Sequence, residues 1–541
     1  MLVRSVRRGV AAWPLAMPGF VAALVLAAAL LAAPALAAKS TPKSPAPKVV
    51  KAAPARTGLE TLEKQVKEFT LANGLRFILV ERHEAPVFSF ETVVNAGGAD
   101  EQPGITGIAH MMEHMAFKGT PTIGSTDWKA EKPLLDAEER AWQAVLDERR
   151  LGIHADSTKL RALEQAWKDA QEASHKYVDE NKYSKLLEQA GAQDMNAQTM
   201  DDITHYFYSL PSNRLELWAL MEGDRFTHPV LREFYKERDV VREERRMGIE
   251  SSPNGRLYDE FIHVAYQAHP YHIGVIGYPS DLQTFSRTQG DSFFRAHYTA
   301  KNMTTAVVGD VTLPELQQLA EKYFGEIPAT PPAHGPDTVE PTQMAERRVI
   351  LEDPAQPMIF MGWHIPAGTD PSYPAYQALA SLLAGGDYAR LNKALRKERK
   401  IVTAIGAEPG FPGEKYPNML FLYVVPAAGQ DPLVVEQAIY GVLDSVLTVK
   451  PFTDEELQGY KVRVRAGKIR EVENNLSLAG ALARAQNLYG DWHQFFREQE
   501  RVQALTVGDL MAAMKSSLVR SNRTVGMIVN PPKQASNEGG H

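Results

Sequence analysis

Cysteine is missing from all 541 positions. No disulfide and no thiolate zinc ligand can form, so any metal must be held by histidine and carboxylate, and a thiol-free chain suits an oxidising compartment. Excess positive charge is missing as well. The formal net charge is −7, and residues 1–37 carry three arginines and no acid, so a chain without them stands at −10. That sign argues against nucleic acid as a partner. What is present is an ordinary globular mixture, 44% hydrophobic and 23% charged. Its length is too great for one core, so two or more domains are expected.

The N-terminus reads differently from the rest. Arg4, Arg7 and Arg8 form a basic start, an apolar run follows from Phe20 to Ala33, and Ala35-Leu36-Ala37 is a small-x-small cleavage site. Residues 1–37 therefore read as an export signal, which puts the mature chain in the periplasm or cell envelope. The apolar stretch from Ala11 to Ala38 is long enough to make an uncleaved anchor the competing reading, and only then is a membrane involved. Residues 38–58, rich in Pro, Ala and Lys, read as a disordered linker, with folding expected to begin near Leu62. Residues 533–541 are a polar tail.

The chain is organised around Gly104 to Thr120, which contains His110-Met-Met-Glu113-His114. In a helix, about 100° per residue sets His110 and His114 roughly 40° apart on one face, with Glu113 beside them. Two imidazoles one turn apart can grip one Zn²⁺, which in a catalytic site takes three protein ligands and leaves one position open. Glu113, next to that position but outside the ligand pair, is placed to act as general base. The order His-x-x-Glu-His is the zincin motif reversed. The bland alternative is two histidines and a glutamate on a solvated face. Against it stand Ile108, Ala109, Met111, Met112, Met115 and Phe117, which would bury a charged Glu113 at a cost that calls for a partner.

Upstream, Asn73-Gly74 between apolar runs predicts a hairpin, and Val87 to Asn95 predicts a third strand. Residues 129–190 interleave charge and apolar residues at helical spacing and read as a helical-hairpin insertion. Asp194 to Leu210 is β-rich around a short bend, and helices are expected over Asn213–Phe226 and Glu233–Ile249. The last of these is dense in acid, and the third ligand is to be sought there: Glu237 and Glu244, two turns apart, share a face. Surface Glu–Arg pairing is the ordinary reading of such a run. Thr288-Gln-Gly-Asp291 followed by Lys301-Asn302-Met-Thr304 recurs as Thr506-Val-Gly-Asp509 followed by Ser521-Asn522-Arg-Thr524. A repeat at about that interval points to a duplicated domain rather than a solenoid. The expected fold is α+β, with two homologous domains, each a mostly antiparallel sheet with helices packed on it. They span 59–327 and 344–532, with a linker at 328–343 and no second His-x-x-Glu-His. His263, His269 and His272 share no regular face and are not expected to bind metal, and the tryptophans are expected in cores or interfaces.

Taken together, Asn73-Gly74-Leu75, Gly107 to Thr120, Asn196-Ala197, Glu237-Arg-Asp-Val-Val-Arg-Glu-Glu244 and His269-Pro-Tyr271 closely resemble the pitrilysin and insulinase family of inverted zincins. The likeness is to its half-length branch, which includes mitochondrial processing peptidase and bacterial relatives. The resemblance implies one Zn²⁺ held by His110, His114 and Glu244, which it selects over Glu243. It also implies Glu113 activating water and Glu237 supporting a ligand from behind. Asn196 and Ala197 would lie on an edge strand to which an extended peptide adds as a further strand. The resemblance further implies a substrate-binding Arg, matched by Arg396, and a Tyr seven residues later, where this chain has Thr403. That departure suggests a hetero- or homodimer in which a related chain supplies the Arg and Tyr. The reading is a zinc metalloendopeptidase acting on unfolded peptides in the cell envelope; the alternative is a subunit that binds peptides without cutting them.

Overall fold

The computed structural model describes residues 56–531; the signal segment, most of the 38–58 linker and the whole of the 533–541 tail lie outside them. One expectation needs correcting at once. Residues 56–58, assigned to the linker, are the first turn of a helix, Arg56–Gln65. Its Leu59 and Leu62 pack into a cluster with Trp492, Phe495 and Phe496, a docking that a short segment with no cap signal does not announce.

Two sheets form the frame. The first is built from β1 (Lys67–Thr70), β2 (Arg76–Glu81), β3 (Val87–Val94), β4 (Gln193–Thr199), β5 (Thr204–Pro211) and β6 (Met303–Gly309), in the order β1-β2-β6-β3-β5-β4. The second contains β7 (Arg347–Glu352), β8 (Met358–Ile365), β9 (Val402–Phe411), β10 (Asn418–Pro426) and β11 (Arg523–Val529), in the order β7-β11-β8-β10-β9. Apart from the extra β1, the two have one topology. β2 runs parallel to β6 as β7 does to β11, and the remaining pairs are antiparallel in both. The recurrent Thr…Asp and Asn signatures are the helices and turns that lead into β6 and β11: Arg287–His297 and Val507–Ser517 each start on a capping box.

Asn73-Gly74 makes the expected turn between β1 and β2. Gly74 takes φ +98°, and the Leu71 amide donates to the Leu75 carbonyl at 2.9 Å.

Each half lends a helix to the other. Leu478, Ala479 and Leu482 of helix Asn475–Tyr489 pack with Ile78, Val80, Val93 and Val308 of the first sheet. In return, Phe261 of helix Pro253–Ala265 stacks edge-on to Phe360 and Phe421 of the second. A Cβ at Gly362 or Gly526 would come within 3.1 or 3.0 Å of that phenyl ring. The 328–343 stretch has no regular structure but is pinned: Glu340 accepts from the Gln267, Ala268 and His269 amides.

The insertion forms helices Trp128–Arg150 and Ser157–His175, with Asp127 and Asp156 as N-caps, and a third short helix, Lys182–Gln189, that the sequence did not suggest. It does not project as an arm. Trp142 and Trp167, with ring centroids 4.6 Å apart, close over Arg238 and Tyr235 of helix Phe234–Arg245. Trp218, Trp363 and Trp492 are also buried, as expected of core aromatics. Among the described residues no helix is long and apolar enough to cross a membrane.

Candidate metal centre

The His-x-x-Glu-His residues occupy one short helix, Ile108–Met115. Its start is tightly made. Gly107 adopts φ +91°, and a Cβ there would lie 2.6 Å from the Ile276 carbonyl oxygen, so only glycine fits. The Glu101 carboxylate accepts from the Gly107 and Ala109 amides, both at 2.7 Å, satisfying donors the first turn leaves free. Asp281 holds the preceding loop by accepting from the Gly104 and Thr106 amides and the Thr106 hydroxyl. Ile108, Ala109, Met111, Met112 and Met115 are buried, which leaves the histidines on the remaining face.

The two rings stand at 90°, with their Nε2 atoms 3.3 Å apart. Glu244, on helix Phe234–Arg245, brings its Oε2 to 3.8 Å from His110 Nε2 and 3.6 Å from His114 Nε2. These separations are close to those a metal demands. Ligands bound to zinc at about 2.0–2.1 Å in tetrahedral geometry lie roughly 3.3–3.5 Å from one another. The donor set therefore fits Zn²⁺ with a small inward movement of Glu244.

Behind the ligands, Glu237 Oε1 lies 3.0 Å from His114 Nδ1 and fixes its ring and tautomer, while its Oε2 pairs with Lys118 at 2.5 Å. Glu113 is 8% exposed and accepts from the Thr199 hydroxyl at 2.7 Å.

Electrostatics follow from burial. Loss of water, with His114 adding to it, pulls His110 down to about 3, so this ring is neutral and able to ligate. At His114 burial works the same way, but the hydrogen bond it donates to Glu237 and the charges of Glu113 and Glu244 prevail and hold it above the ordinary value. Burial also opposes charge on Glu237, yet its bond to His114 and the Lys118 ammonium bring it to about 2. Glu113 and Glu244 are both pushed up by burial. A dication among these groups would favour the ionised carboxylate and the neutral imidazole.

β4 is the outer strand of the first sheet, and it ends on Thr199, beside Glu113. Asn196 is exposed and Ala197, in register with Tyr206 of β5, is buried; the Ala197 amide donates to the Asn196 side-chain Oδ1 at 3.0 Å. The structure thus brings His110, Glu113, His114, Glu237 and Glu244 together, with Asn196 and Ala197 on the strand that leads to them. Arg396 joins none of their hydrogen bonds or ion pairs and is paired with Asp387 in the second half. Thr403, at the start of β9, donates to the Val425 carbonyl at 3.2 Å.

Two other groups of histidines and acids are engaged in contacts of their own. His175, Glu180 and Glu233 converge, but the Lys236 ammonium lies 2.7 Å from Glu180 and 2.8 Å from Glu233. His263 pairs with the Tyr278 hydroxyl, and His272 with the His269 carbonyl. Sequence reasoning missed Thr199, Lys118 and Glu101. Lys118, one turn past His114 in the motif stretch, was the one within reach.

The insulinase (peptidase family M16) domain matches residues 76–131, and the peptidase M16 inactive domain matches residues 284–463. A zinc protease of Helicobacter pylori, PqqE, is 26% identical over 427 residues, 76% of this chain and 82% of its own. A crystal structure of a protease from Helicobacter pylori has a TM-score of 0.71 and 22% identity, over 86% of this chain and 99% of that one. The periplasmic protease PqqL from Escherichia coli, at TM-score 0.64 and 18% identity, is matched over 86% of this chain but 48% of its own length. This chain therefore has a shared fold and about half the span of that protein.

Proposed function

Because the chain carries domains of the insulinase, or M16, peptidase family, we propose that it is a zinc metalloendopeptidase. It would cleave unfolded peptides in the bacterial cell envelope. The observation that carries this reading is the triad of Nε2, Nε2 and Oε2 atoms spaced 3.3 to 3.8 Å apart beside a buried Glu113. Zinc, when bound by His110, His114 and Glu244, supplies a Lewis acid and lowers the pKa of water. The rest is done by the chain. Burial raises Glu113 toward the range in which a carboxylate takes a proton from water and later returns it to the leaving amine. Thr199 aims that carboxylate, and Glu237 keeps the His114 ring turned with Nε2 toward the site. An extended substrate adds to the free edge of β4, whose end at Thr199 delivers its backbone to Glu113.

The half-length span and the Thr403 departure support a second chain that completes the substrate chamber. Export is supported by the signal-like residues 1–37 and by the periplasmic relative. The match of residues 284–463 to an inactive domain favours a second reading, a subunit that holds peptides without cutting them.

Metal content and peptide cleavage of the wild type and Glu113→Gln decide between them. We expect one zinc per chain in both and a loss of turnover of about 10²–10⁴-fold in the variant. Unchanged turnover removes Glu113 from the chemistry, and absence of cleavage by the wild type with any partner favours the binding subunit.

A further inference from the structure

The sequence separates its two ligand-bearing helices widely: His114 and Glu244 are brought together from opposite sides of a long insertion. At the site itself the two elements meet through Glu237, which links to His114 and Lys118, and through Glu244, whose Oε2 faces both histidine rings. What sets their distance is buried beneath. Arg232 lies two residues before helix Phe234–Arg245 and is 1% exposed. Its Nη1 donates to the Lys118 and Ile123 carbonyls at 2.7 and 2.9 Å, and its Nη2 to the Thr120 carbonyl at 2.9 Å. All three belong to the loop that leaves the His-x-x-Glu-His helix. The remaining donors go to Glu131, Nε to Oε1 at 2.9 Å and Nη2 to Oε2 at 3.3 Å. Glu131 is fully buried on the first helix of the insertion. A guanidinium has five N–H donors, and here all five are used.

The loop is shaped to receive it. Gly119 and Gly124 take φ +87° and +91°, and a Cβ on either would stand 3.0 or 2.9 Å from Arg232 Nη1. The insertion grips the same segment further along, where Glu139 accepts from the Tyr235 hydroxyl at 2.6 Å and Trp142 covers Arg238 at 4.4 Å.

We infer that Arg232 and Glu131 are positioning residues for the metal centre: they lock the Glu244 helix to the exit of the histidine helix, and the insertion exists in part to supply Glu131. Ligand geometry tolerates roughly 0.5 Å of error, so loosening this joint weakens metal binding before it unfolds the protein. The inference rests on the zinc-peptidase reading and can fail separately from it.

The test is zinc affinity by chelator competition, measured well below the melting transition on Arg232→Lys, Glu131→Gln and a control, Arg348→Met. The control breaks a pair with the buried Glu436 in the second sheet. Lysine keeps the charge but offers at most three donors without the planar fork. We expect Arg232→Lys and Glu131→Gln to bind zinc about 10- to 100-fold more weakly. The control should keep wild-type affinity even though its metal-free form melts lower. If Arg232→Lys does not fold, Glu131→Gln decides alone. Wild-type affinity in both variants, or an equal loss in the control, overturns the inference. A wild type that takes up no zinc overturns the peptidase reading instead.

Discussion

What a carboxyl in this protein can do is decided by how much water it has lost. Glu113, buried and donated to by Thr199, is held above its ordinary range, the direction that favours a carboxylate taking up a proton. Glu408 on β9 shows the same physics without a catalytic task, since burial and then the neighbouring Glu414 carry it from 4.5 to about 7. A raised acid stabilises the fold below its unfolded value, and that contribution is lost as pH rises through the folded one. For Glu408 the window is about 4.5 to 7. Glu408→Gln should therefore melt higher than wild type at pH 8 and close to it at pH 4.5, by calorimetry; a gain at both pH values would mean burial is not the cause. At this scale the sequence was partly legible. His110, Glu113 and His114 announced themselves because helical spacing fixes their common face. Glu244 was one acid among several until resemblance singled it out. Thr199 and Arg232 carried no signal, because each acts through a contact with a residue far away in the chain.

Among the elements, β4 has the most exposed task. As the edge of the first sheet it has one side of its backbone unpaired by any neighbouring strand. If substrate adds there as a strand, its amides alternate between facing β4 and facing solvent. Peptides N-methylated at every second amide, in two sets shifted by one residue, should behave differently. One set should lose roughly two- to tenfold in KM per methyl group, the size of a net hydrogen bond, and the other should be cleaved like the parent. Equal loss in both sets argues against strand addition. Element types were legible where the local signal was strong, as in β3 and the Asn73-Gly74 turn. Helix Arg56–Gln65 was not, because its stability comes from Trp492 and Phe495, which no local pattern reveals.

Over the whole molecule, two sheets of one topology are joined by exchanged helices. A buried Leu or Phe side chain contributes about 1.5–3 kcal/mol, so Leu478 and Leu482 on one side and Leu257 and Phe261 on the other together rival a domain's net stability of about 5–15 kcal/mol. Residues 56–331 and 332–531 expressed apart should give no cooperative melting transition, and mixed on refolding they should recover one. Independent melting of either half contradicts this reading of the exchange. The duplication was legible from its closing signatures, whereas the helix exchange was not, because period and composition carry no record of which sheet a helix covers.

The central claim is that His110, His114 and Glu244 close on one ion, and anomalous diffraction at the zinc edge from crystals grown with zinc tests it most directly. We expect a single strong peak about 2.0–2.2 Å from both Nε2 atoms and a Glu244 carboxylate oxygen; a peak elsewhere, or one that Glu244 does not touch, contradicts the account.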